Sequence, residues 1–185
     1  MIDNELDPGR QPMTPANPPA EIDTYKLQRF TKRVKEEQNL SLALIGGFGA
    51  AVFGALFWAA ITVITDYQIG WMAVGVGFLV GFAVRLLGKG LDKIYGFVGA
   101  GFALVGCLLG NFLATVAIIA QIEAVSIIDV LSFLFANLDA AIELMGIAFS
   151  PIDLLFYAIA IYQGYKLSFR HVTQAEIDAA MNAPI

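Results

Sequence analysis

One cysteine, Cys107, and one histidine, His171, are all the chain's 185 residues supply of the two side chains most used for crosslinks and metals. A lone cysteine excludes an intrachain disulfide, and a lone histidine excludes any site that needs two imidazoles. Charge is scarce too. Only 15% of residues are Asp, Glu, Lys or Arg, against about a quarter in a soluble domain. With 58% hydrophobic residues and a mean hydropathy of +0.70, so few charges cannot coat a globular surface. Not one charge falls between Leu40 and Thr65, for example. An ordinary cytosolic domain is therefore excluded, and a polytopic, all-α membrane protein is expected.

The N-terminus lacks an apolar stretch, so no cleavable signal peptide is expected, and the first apolar helix would direct insertion. Residues 1–22 carry Pro8, Pro12, Pro15, Pro18 and Pro19 among polar residues, which reads as a disordered cytoplasmic tail. From residue 23 to 38 the pattern turns helical. Leu27, Phe30 and Val34 form a stripe among Lys26, Arg29, Lys32, Arg33 and Lys35. A basic amphipathic helix ahead of a membrane span is expected to lie on an anionic lipid surface, or else to dock a soluble partner.

The transmembrane domain is expected over 39–169, with spans near 39–65, 71–87, 94–121 and 151–169. Asp66-Tyr67-Gln68 and Gly88-Lys89-Gly90-Leu91-Asp92-Lys93 are short turns, so the spans they join must be antiparallel neighbours. Residues 126–148 are apolar but carry Asp129, Asn137, Asp139 and Glu143. On a single helix Asp129, Ser132, Ala136, Asp139 and Glu143 share one arc opposite Ile127, Leu131, Leu134, Leu138, Ile142 and Met145. That predicts an acidic amphipathic helix at the interface, with a re-entrant segment left open. An acid at the centre of a span would cost about 2.5–3.5 kcal/mol. Residues 170–185 read as a short cytoplasmic tail in which Thr173 and Glu176 have capping-box spacing.

Charge distribution selects the topology. Four spans put all eleven Lys and Arg on one side. Asp66, Glu123, Asp129, Asp139, Glu143 and Asp153 then lie on the other. By the positive-inside rule both termini are cytoplasmic, in a cell membrane.

Lipid tails are as apolar as leucine, so membrane helices associate by close packing at small residues. Gly46-x3-Ala50-x3-Gly54, Gly77-x3-Gly81, and Gly99-x3-Ala103 with Gly106-x3-Gly110 supply such stripes, for packing within the bundle or against another copy. The stretch from Tyr67-Gln68-Ile69-Gly70-Trp71 through Arg85, Gly88, Lys89 and Gly90 to Gly106-Cys107-Leu108-Leu109-Gly110-Asn111 resembles a segment of uncharacterised bacterial multi-span membrane proteins. The resemblance covers residues 67–111 and implies a bacterial inner membrane; it brings no activity.

Arg85 sits near the end of an apolar helix, where it snorkels to the headgroups, pairs with Asp92 or, with Lys89 and Lys93, binds an anionic lipid or partner. Asn111 and Gln163 are amides inside spans, which must find partners. With Asp129, Asp139 and Glu143 they are the candidates for an ion path. No constellation for nucleophilic, acid–base or metal chemistry is present. No catalytic residue, metal or cofactor is expected, nor a nucleic-acid partner. The sequence thus points to a non-enzymatic membrane scaffold or accessory subunit that recruits a partner or anionic lipid, with another subunit or a second copy beside it. The alternative is a small homo-oligomeric channel or transporter with an acidic outer vestibule.

Overall fold

A computed structural model describes residues 24–182; the expected disordered tail over 1–22 lies outside them. Every regular element among the described residues is an α-helix: α1 Thr24–Glu36, α2 Leu40–Thr65, α3 Met72–Gly88, α4 Lys93–Ile122, α5 Ile127–Ala136, α6 Leu138–Ala148, α7 Pro151–Leu167 and α8 Gln174–Asn182. Residues 24–33 with 173–182 form one compact unit, and 34–172 form another.

In the larger unit α2, α3, α4 and α7 make the bundle. α3 and α4 touch each other, and each touches both α2 and α7. Their shared core is small: Ala43, Ala51, Ala73, Ala103, Ala114 and Ala160, filled out by Val76, Val80, Val84 and Trp58. The large apolar side chains point outward instead; Phe53, Phe78, Phe82, Phe97 and Ile64 are exposed. A soluble bundle would invert that arrangement, since burial is what drives it together.

Two helices, α2 and α4, are long and apolar enough to cross a membrane, or three candidates if the bent pair α5–α6 is counted as one. α3 and α7 have 17 residues each, about 25 Å at 1.5 Å per residue. They are thus short of the ~20 residues that span typical hydrocarbon.

Local chemistry sets the helix ends. Asn39 caps α2, its side-chain oxygen accepting from the Leu42 N–H at 2.9 Å, which satisfies one of the donors left over at a helix start. α3 ends where Lys89 turns left-handed (φ 48°) and donates its N–H to the Arg85 carbonyl, the usual stop for a helix. Pro151 opens α7, where its missing N–H costs nothing, and the Ser150 N–H donates to Asp153 at 2.8 Å. α8 begins with the expected box, the Thr173 N–H donating to Glu176 at 2.9 Å.

Residues 126–148 correct the sequence expectation. They are not one amphipathic helix but two, α5 and α6, bent by 116°. The break is at Asn137 (φ −129°, ψ 80°). Its Nδ2 donates to the Phe133 carbonyl at 2.9 Å, and its backbone N–H goes to Phe133 and Leu134. Such side-chain competition for backbone groups is why asparagine favours caps over helix interiors. The single acidic arc therefore does not form: Asp129 belongs to α5, and Asp139 and Glu143 follow the bend on α6.

Replacing Asn39 with Ala is expected to lower the unfolding free energy in mixed micelles by about 1 kcal/mol, while Asn39→Ser changes it by only a few tenths. Equal losses for both substitutions would show that the cap contributes nothing.

Candidate functional site

Close helix contact shapes everything in the bundle, and six glycines singled out from the sequence lie at it. A Cβ on Gly77 would sit 2.5 Å from the Ala160 carbonyl oxygen, and one on Gly81 3.1 Å from that of Gln163. So α3 meets α7 backbone to backbone. Gly54 faces Val76; Gly106 faces Val76 and Ala51; Gly110 faces the Trp58 ring; Gly46 faces Leu87. The tightest seam pairs a glycine of the Gly99-x3-Ala103 stripe with one the stripes did not include. Gly99 of α4 and Gly164 of α7 stand against each other's carbonyls, and beside them the buried Ser168 hydroxyl donates back to the Gly164 carbonyl at 2.6 Å. The signal was present in Ala160-x3-Gly164, a small-x3-small pair on the last span.

One end of the bundle is tied by three chain segments. The Asn39 N–H donates to the Gly88 carbonyl (2.9 Å) and the Arg170 N–H to the Gly90 carbonyl (2.8 Å). The Arg170 guanidinium pairs with Glu37 at 2.6 Å. The start of α2, the α3–α4 turn and the exit of α7 thus share this end. Lys89 and Lys93 are exposed here, and Arg85 is half-buried on the last turn of α3, where a cation suits the helix dipole. Among the described residues Arg85 makes no ion pair with Asp92.

The opposite end holds a polar node. Asn111 of α4, buried, accepts from the Gln68 side chain of the α2–α3 turn, and its carbonyl accepts from Thr115 at 2.9 Å. Beside it, the Cys107 thiol lies 3.6 Å from the Ala73 carbonyl. The Tyr157 hydroxyl is 3.5 Å from the Cys107 carbonyl. A cavity of about 20 Å³ between Asn111, Tyr157, Met145 and Phe149 has room for one water. A larger cavity, about 320 Å³, lies between α2 and α3 and is lined by apolar groups such as Phe53, Phe57, Met72 and Leu79. The Trp58 indole N–H is buried without an acceptor among the described residues, a cost of about 1–3 kcal/mol.

The residues grouped as an ion path are not brought together. Gln163, half-buried, is level with the Gly99–Gly164 seam, and Asn111 stands about 18 Å further along α4 at 1.5 Å per residue. Asp129 is engaged in capping α5, accepting from the Ser126 N–H at 3.3 Å. Asp139 and Glu143 are exposed on α6. In the smaller unit Lys26 is half-buried, while Arg29, Lys32 and Arg33 are exposed, as is Lys35 at the start of the larger unit. No group of three or more His, Cys, Asp or Glu is placed to hold a metal among the described residues.

No known family, curated protein or solved structure matches this chain.

The Gln68–Asn111 bond links a turn to a helix across the bundle, so its two ends should be coupled. In a double-mutant cycle with Gln68→Leu and Asn111→Leu, the double variant is expected to lose less stability than the two singles added together, by about 0.6–1.7 kcal/mol. Strict additivity would mean that the bond carries no energy.

Proposed function

We propose that this chain is a four-span membrane protein acting as a non-enzymatic scaffold or accessory subunit of a membrane complex. The observation that carries the reading is how closely α7 seats on α3 and α4. α7 lies backbone to backbone on α3 at Gly77 and Ala160, and on α4 at Gly99 and Gly164. Helices in such contact leave no room for a solute between them, whereas a permeation path needs a continuous polar cavity.

Four crossings by α2, α3, α4 and α7 are supported by the Glu37–Arg170 pair. It joins the residue just before the first of these helices to one just after the last, as an even number of passes requires. Arg85, Lys89, Lys93, Lys166 and Arg170 cluster towards this end, while Asp66, Glu123, Asp129, Asp139, Glu143 and Asp153 belong to the other. That asymmetry puts the Glu37–Arg170 end in the cytoplasm. The shortness of α3 and α7 is eased by flanking groups that anchor at the interface, Tyr67 and Trp71 outside and Arg85 and Lys166 inside. α5 and α6 fold back at the outer end in this arrangement, α6 closing against Leu108 and Asn111 of α4, while Asp139 and Glu143 stay exposed, since each would cost about 2.5–3.5 kcal/mol at mid-bilayer. The basic face of α1 meets anionic lipid in the cytoplasmic leaflet.

The channel reading needs Asn111, Gln163 and the acids along one path. Their separation along the bundle and the engagement of Asn111 and Asp129 weigh against it within one chain.

Native mass spectrometry of the protein extracted in mild detergent from its own host membrane tests the choice. The expected result is a fixed stoichiometry with a different membrane protein. A homo-oligomer of three or more copies would contradict the scaffold reading and support a pore around a shared axis.

A further inference from the structure

The smaller unit joins the two ends of the described chain. The Lys26 ammonium of α1 donates to the Met181 carbonyl of α8 at 3.0 Å. Met181 lies in the last turn of α8, where carbonyls have no amide four residues on to accept from and the helix dipole is negative. Lys26 therefore acts as a C-terminal cap supplied from another helix.

The two helices are complementary in charge and in apolar spacing. Over 24–33, α1 carries Lys26, Arg29, Lys32 and Arg33 with no acid, and α8 carries Glu176 and Asp178 with no base. On α8 the half-buried side chains Ile177, Ala180 and Met181 fall at i, i+3 and i+4, and on α1 Lys26 and Phe30 are half-buried as well. α8 has only nine residues, and a helix below about 12 residues is marginal in water on its own. Its helicity therefore depends on partners outside it, of which the Lys26 cap is one.

Lys26 is one of the cations assigned above to anionic lipid, so the α8 carbonyl and a lipid headgroup compete for it, while Arg29, Lys32 and Arg33 are already exposed. We propose that α8 is latched by Lys26 of α1 and released, with loss of its helix, when Lys26 and its basic neighbours on α1 engage an anionic bilayer. This inference rests on the reading that α1 binds anionic lipid. The C-terminal segment would then be presented to the cytoplasm only where the leaflet is acidic.

The full-length protein in nanodiscs tests it, comparing phosphatidylcholine alone with a mixture containing about 30% phosphatidylglycerol. Two quantities are followed: hydrogen exchange of residues 174–182, and quenching by headgroup-labelled lipid of a fluorophore placed at Gln28→Cys in a Cys107→Ser background. With anionic lipid, quenching should rise and exchange in α8 should speed up at least about fivefold, both reversing near 1 M salt as charges are screened. Lys26→Gln should speed α8 exchange already in neutral nanodiscs, and Glu176→Gln with Asp178→Asn should shift release to a lower phosphatidylglycerol fraction. If quenching rises but α8 exchange stays constant, the Lys26 latch is overturned and the lipid reading stands. If neither responds, both are overturned.

Discussion

The bundle depends on how closely α7 can approach α3 and α4. In a bilayer, apolar burial does not draw helices together, because lipid and leucine are equivalent environments. What remains is van der Waals contact, which falls off within an ångström or so of separation, and contact at that range requires the near helix to lack side chains. Gly77, Gly81, Gly99 and Gly164 meet that requirement at successive levels. Once they bring the backbones together, the small core of Ala and Val follows, and so does the outward placement of the phenylalanines.

The two ends of the bundle are held differently. At the Glu37–Arg170 end, backbone hydrogen bonds from Asn39 and Arg170 reach the α3–α4 turn, so the turn is fixed by the segments that enter and leave the bundle. At the other end the restraint comes from side chains: Gln68 to Asn111, and Gln121 to the Val63 carbonyl (3.2 Å) and Asp66 (3.3 Å). Of these amides Asn111 is buried, and a buried amide is costly unless paired. In pairing they become joints that hold the α2–α3 turn against α4.

Much of this was legible in the residues. Hydropathy and the two short turns place α2, α3 and α4 within a residue or two, and Pro151 marks the start of α7. The stripes at Gly46, Gly77 and Gly106 point to close contact but not to its partner, since spacing on one helix says nothing of what lies opposite. Gly164 is hard to single out because it stands alone among the larger Tyr162, Gln163, Tyr165 and Lys166, and its small partner four residues back, Ala160, is not a glycine. The bend at Asn137 was hidden because a helical wheel presumes an unbroken helix, and one asparagine bonding back to Phe133 is enough to void it. Gln68 looked like a turn residue; only the fold brings it to Asn111, 43 positions away.

The most direct test of the packing claim compares two alanine substitutions, Gly164→Ala and Gly101→Ala, by reversible unfolding in mixed micelles. A Cβ at 164 would meet the Gly99 carbonyl oxygen at 2.7 Å, while one at 101 meets nothing within 4 Å. Both gain about 1 kcal/mol of helix propensity, so the difference isolates the contact. The account predicts that Gly101→Ala is neutral or stabilising and that Gly164→Ala loses about 1–3 kcal/mol from forced separation. Equal effects at the two positions would contradict it.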